Sequence, residues 1–238
     1  MRRSAAVVLV TSAASCAQVL YTGGSQLVTG FADIAPGSGH PPASSFLFQS
    51  GPVSFSPGFH LAEAGSGGHT GVASADYTSV LEPGTFQVHG FTGLEMETPA
   101  GLKTSAGSFV ITSFTFEVTQ AVVVDLTAVL DTAAQGAPAS VAHVSLAPQF
   151  GGFIFNLQAV SGEQRAFHAP GVLLEPGLYS LHFSAEAAMF TTTPGTIKAS
   201  AIGFFSMHVV PTPGALGLIA AVGVWAGRRR RETKPPAR

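Results

Sequence analysis

Residues 108–119 read SFVITSFTFEVT, with Phe109, Ile111, Phe114 and Phe116 set among small hydroxyl residues. β-Branched and aromatic side chains lose rotamer freedom in a helix and fit a pleated surface, so this stretch predicts a strand. Residues 121–130, AVVVDLTAVL, predict a buried strand with Asp125 as its odd member. Residues 85–90, 140–146, 152–157, 178–185 and 198–210 continue the series between Pro-Gly and Gly-rich turns. Strands at that spacing predict an all-β, antiparallel, jelly-roll-like β-sandwich, with Phe, Val and Leu between the sheets and Ser, Thr and Gln toward water. Over residues 18–75 loop chemistry dominates, as in GSGHPPASS and EAGSGGHTG, with short strand candidates at 26–31, 45–49 and 53–56. That part is expected to be a loose edge of the domain or a linker, and residues 76–210 the sandwich proper.

Charge is distributed unevenly. Eight of the eleven basic residues lie in the end segments, while residues 18–210 hold Lys103, Arg165 and Lys198 against twelve acids, a balance of −9. Such a body repels nucleic acid and anionic lipid. The 28 glycines and 16 prolines suit an exported β-protein rich in tight turns. Residues 1–17 read as a secretory signal: Arg2 and Arg3, an apolar core over residues 5–10, and Ser15-Cys16-Ala17 before a cut. That cut removes Cys16, the only cysteine, and with it any disulfide. Lipidation at Cys16 is the rival reading.

At the other end stand Pro211-Thr212-Pro213-Gly214, then an uncharged run over residues 215–227, then Arg228, Arg229, Arg230 and Arg231. Four guanidinium groups cannot follow that run into a core unpaired. Membrane insertion resolves the conflict: Ala215, Leu216, Leu218, Ile219, Val222, Val224 and Trp225 take the hydrocarbon, and the arginines stay on the cytoplasmic side as a stop. A spanning helix needs ~20 residues, and residues 209–227 reach that length only with arginine snorkelling. Residues 232–238 form a basic tail. The order V-P-x-P-G, short apolar helix, arginine cluster resembles a PEP-CTERM sorting signal, over about residues 209–231. Thr212 stands where the commonest form has glutamate. The resemblance implies recognition at Pro211, Thr212, Pro213 and Gly214 by an exosortase-type membrane protease that removes the anchor.

One nine-residue pattern occurs twice, as LEPGTFQVH at 81–89 and LEPGLYSLH at 174–182. Pro then Gly fits a type II turn, and the aromatic and aliphatic residues that follow share one strand face. Similarity stops at those nine residues, which favours convergent turn chemistry over duplicated halves.

Catalytic chemistry is not legible. The eight histidines form no zinc-ligand spacing, and no nucleophile elbow, dinucleotide or phosphate loop occurs. His89 and His182 are expected on strand surfaces. Glu95 and Glu97 share one strand face without a calcium loop around them. The expectation is an exported, membrane-anchored, structural or adhesive module of the cell surface or extracellular matrix, non-catalytic, without metal or cofactor and without nucleic acid. Its partners would be the membrane, the exosortase-type protease and an extracellular polysaccharide. The alternative is a carbohydrate- or calcium-binding surface module. A hydrolase would need Asp125, His143 and Glu186 to meet.

Overall fold

The computed structural model describes residues 19–34, 43–51, 54–56, 58–64, 70–82, 84–98, 100–101, 103–136 and 139–210. Within these the chain forms β1 (Val19–Ile34), β2 (Ala43–Ser50), β3 (Gly58–Ala64), β4 (Thr70–Glu82), β5 (Thr85–Thr98) and β6 (Thr104–Val118). There follow β7 (Val122–Gln135), β8 (Ala139–Pro148), β9 (Phe155–Val160), β10 (Gln164–Leu174), β11 (Gly177–Thr191) and β12 (Gly195–Val209). They build two six-stranded sheets, β2-β1-β6-β11-β8-β9 and β10-β7-β12-β5-β4-β3. Every ladder is antiparallel. The fold is therefore an antiparallel β-sandwich. From β5 onward the chain alternates between the sheets, apart from the β8–β9 hairpin. The two quartets this yields, β6-β11-β8-β9 and β10-β7-β12-β5, interleave as a jelly roll does. The β1–β2 and β3–β4 hairpins extend one edge of each sheet.

Strict alternation drives the packing. In β7 the even positions from Val122 to Leu130 are buried while Val129 and Asp131 face out, and β6 buries Val110, Phe114, Phe116 and Val118. Rings from both sheets meet in the middle: Phe86 stands edge-on to Phe114 at 5.0 Å, and Phe155 stacks on Phe205 at 5.6 Å. Gly203 of β12 and Gly90 of β5 are cross-strand partners on the inner face. Phe183, fully buried on β11 of the other sheet, lies against both: a Cβ added at Gly203 would sit 2.5 Å from its ring, and one at Gly90 2.6 Å. Two glycines side by side thus leave a slot that the phenylalanine fills, a close approach only glycine allows.

One end of the sandwich gathers both ends of the described body. There Val19 pairs with Val118, Gly177 with Val118, Leu174 with Val122 and Tyr179 with Pro148. Val209 N–H donates to the Gly84 carbonyl at 2.7 Å and Val210 N–H to the Val123 carbonyl at 2.8 Å. The Tyr21 hydroxyl reaches the Thr85 carbonyl at 3.4 Å, joining the sheets at this end.

The structure departs from the sequence reading in the N-terminal third. β1 is not a loose edge. It lies inside its sheet between β2 and β6, with Gln26, Val28 and Ala32 fully buried. The Ser79 hydroxyl donates to Gln26 Oε1 at 2.7 Å, tying β1 to β4 across the sandwich. β4 runs through the boundary expected at residue 75. In place of the strand expected at 53–56, the described residues 54–56 contribute one isolated bridge, Phe55 to Ser79. The sequence reading omitted β10, where Pro170-Gly171 interrupts the pattern; the chain absorbs them as a bulge between Ala169 and Val172 on an edge strand. The repeated nine-residue pattern serves two different connections. Its first copy closes the β4–β5 hairpin within one sheet, with Gly84 at φ +78, and its second crosses from β10 to β11 in the other sheet. In both, the aromatic and aliphatic positions are buried: Phe86 with Val88, and Tyr179 with Leu181.

Candidate functional site

The sorting motif (Pro211, Thr212, Pro213, Gly214), the anchor residues (Ala215, Leu216, Leu218, Ile219, Val222, Val224, Trp225) and the arginines Arg228 to Arg231 lie outside the described residues, as does the signal segment 1–17. Among the described residues no helix is long and apolar enough to cross a membrane.

The three residues a hydrolase would need do not meet. Asp125 sits on the outer face of β7, where its carboxylate accepts from Gly171 N–H at 2.9 Å. His143 and Glu186 lie on the outer face of the opposite sheet, on β8 and β11. The core separates the faces, and sheets pack ~10 Å apart before their outward side chains are counted. Among the described residues no three His, Cys, Asp or Glu side chains converge as a metal ion would require. Glu95, one of the pair weighed for calcium, holds Lys198 Nζ at 2.7 Å.

His182 and His143 do come together, with ring centroids 5.5 Å apart, and His143 Nε2 lies 2.7 Å from Asn156 Oδ1. Burial, then the charge of His143, holds the His182 imidazole below its ordinary 6.5, and Glu186 opposes both. As the pH falls, an unfolded chain takes up this proton before the folded one does. The stabilisation is therefore complete above 6.5 and is lost as pH falls through that value toward the lower native one. Urea midpoints should drop as the pH is lowered from above 6.5. The slope should flatten in His182→Gln, and an unchanged slope would place the titration elsewhere.

The outer face of the β4-β5-β12-β7 sheet carries a furrow of ≈ 590 Å³ running across four strands. The register explains its shape. Ser74, Gly93, Ser200 and Ala133 face one another in one cross-strand row and form a floor of small side chains. One side is the row Val72, Glu95, Lys198, Gln135, and Phe91 of β5 stands on the other. Phe91 leans over the floor, since a Cβ on Gly93 would lie 2.9 Å from its ring. By strand spacings the furrow is about 14 Å long, and its volume lies within the ~300–1,000 Å³ of small-ligand sites. An aromatic face, an amide, two hydroxyls and an ion pair can stack on and hydrogen-bond an extended polyol. None of these residues apart from Glu95 was singled out from the sequence, because the floor exists only once four strands are in register.

Exposed aromatics form two further groups. Phe31, Phe46, Phe48 and Phe190 lie on the outer face of the β2-β1-β6-β11 sheet, with Phe109 stacked on Phe31 at 6.5 Å above Gly107. Phe150 and Phe153 sit in the loop 149–154 between β8 and β9.

No protein-family model and no curated protein matches the chain. Among solved structures it is similar to a carbohydrate-binding module of the β-sandwich superfamily, at 9% identity over 80% of this chain and 86% of that one, with a TM-score of 0.20. It is also similar to infectious bursal disease virus structures. The Gx strain aligns at 9% identity over 85% of this chain and 73% of that one, TM-score 0.19; the Gt strain at 9% over 82% and 67%, TM-score 0.18.

Proposed function

We propose that the chain is an exported β-sandwich of the cell surface or extracellular matrix, non-catalytic, held at the membrane by residues 211–231 and released by an exosortase-type protease. The observation that carries this reading is the way the body ends. β12 keeps its ladder to β7 through Val209, and the chain leaves at Val210 from the end where Val19 enters. The described residues between 19 and 210 thus assemble a core among themselves, which supports assigning the apolar run before the four arginines to lipid. The test is where the protein resides and where its termini lie. A tag in the body should fractionate with membranes or the exterior, and mass spectrometry of the mature protein should find a start near Gln18 and a C-terminus near Gly214. A body that stays in the cytosol with both end segments intact sinks the proposal.

The furrow favours a second, compatible reading: adhesion to an extended neutral polysaccharide. On a glycan array Phe91→Ala should weaken binding about tenfold, the loss of one stacked ring. Gly93→Val should abolish binding by filling the floor. A blank array, or binding indifferent to both changes, removes this reading.

A further inference from the structure

We infer that the loop 149–154 is a membrane foot: Phe150 and Phe153 enter the headgroup–acyl boundary of the bilayer that holds the anchor. This deepens the anchoring reading above and rests on it.

The first observation is exposure. This protein buries Phe86, Phe114, Phe116, Phe183 and Phe205 almost completely, yet Phe150 is 88% exposed and Phe153 62%. The loop is pinned at both shoulders. Gln149 N–H donates to the Leu178 carbonyl at 2.7 Å, and Ile154 N–H to the Leu146 carbonyl at 2.8 Å. Ile154 packs against the core, so Phe150-Gly151-Gly152-Phe153 projects as a tip from a fixed base.

The second observation is place. The loop sits at the end of the sandwich from which Val210 departs, because β8 ends and β9 begins there. Phe155, two residues past Phe153, stacks on Phe205 of β12, the strand that continues toward the anchor. Only residues 211–214 separate Val210 from the apolar run. Four residues span at most about 14 Å fully extended. If residues 215–227 enter lipid, this end of the sandwich cannot stand farther off than that.

The third observation is the chemistry of the rim. Leu20 and Leu178 are exposed at the same end, both opposite Glu117, and Glu82 and Glu175 lie at the adjoining turns. Apolar groups among carboxylates fit a neutral headgroup layer and are repelled by an anionic one. Aromatic tips at that depth add apolar burial to a tether of marginal length.

The experiment uses protein purified with its C-terminal segment intact, reconstituted in phosphatidylcholine vesicles with brominated acyl chains. Trp225 is the only tryptophan, so native fluorescence reports the anchor itself. In a Trp225→Phe background, Phe150→Trp and Phe153→Trp should be quenched by the bromines as strongly as native Trp225. Thr193→Trp, in the turn at the opposite end, should not be quenched. Quenched Trp225 with unquenched loop tryptophans overturns the foot and leaves the anchor standing. Unquenched Trp225 overturns the anchor, and the foot is then judged on the loop's own quenching. A blue shift that grows with protein concentration and ignores bromine assigns the loop to a second copy of this chain and overturns the proposal.

Discussion

Gly203→Ala lowers the stability of the sandwich by about 1–3 kcal/mol, the usual penalty for forcing one methyl group into a filled core. A urea or thermal midpoint would show it, at roughly 2–4 °C per kcal/mol for a chain of this size. The added carbon would lie 2.5 Å from Phe183 Cε2 and 3.3 Å from Leu130 Cδ2, so neither wall is free to yield. Gly90→Ala meets the same ring from the neighbouring strand, with Val110 at 3.2 Å, and should cost a similar amount. Emptying the slot is worse: Phe183→Ala leaves a cavity between the sheets and should cost about 3–5 kcal/mol. The diagnostic is coupling. A smaller ring-less side chain makes room for the methyl, so Gly203→Ala with Phe183→Leu should destabilise less than the two single changes summed. Strict additivity would mean that ring and glycine do not share the slot. Gly152→Ala, with nothing within 4 Å of the added carbon, is the neutral control.

Ile219→Asp with Val222→Asp should release the protein from the membrane fraction. Each aspartate near the centre of an inserting helix costs about 2.5–3.5 kcal/mol, and each apolar residue lost adds a few tenths more. Should residues 215–227 insert, so short a run could not absorb a penalty of this size. Carbonate-washed membranes should retain the unsubstituted chain and lose the doubly substituted one, while the sandwich, which ends at Val210, keeps its unfolding midpoint. Equal retention of both proteins would show that residues 215–227 do not hold the chain in lipid.

Legibility followed the period of the sequence. Where β-branched and aromatic residues are dense, as in residues 108–119 and 121–130, strand type is legible but the buried face is not: β6 buries Phe114 and Phe116 while Phe109 and Ile111 lie on its outer face. Where side chains are small, the pattern was too weak. β4 and β3 arise from stretches of Gly, Ala and Ser whose strand propensity is low, and pairing with β5 and β4 overrides it. The furrow could not have been read at all. Ser74, Gly93, Ser200 and Ala133 come from four strands, and a slip of one residue in any of them would turn its member inward. The Phe183 slot was half visible. Glycine inside a strand marks a close approach, and Gly90 and Gly203 both interrupt strong strand patterns, but which ring they admit depends on how the sheets face each other.

β12 is the strand that leads to Val210 and the proposed tether, and it lies in the middle of its sheet, laddered to β5 on one side and to β7 on the other. Ser200 and Lys198 place the furrow near the far end of that strand, about 30 Å from Val209 at ~3.4 Å per residue. Were a ligand gripped in the furrow, tension between it and the exit at Val210 would run along the strand axis. It would load both ladders in shear, so many backbone bonds would have to fail together rather than unzip singly from an edge. On the proposed reading the same geometry would make the sandwich a stiff spacer between the furrow and the exit at Val210.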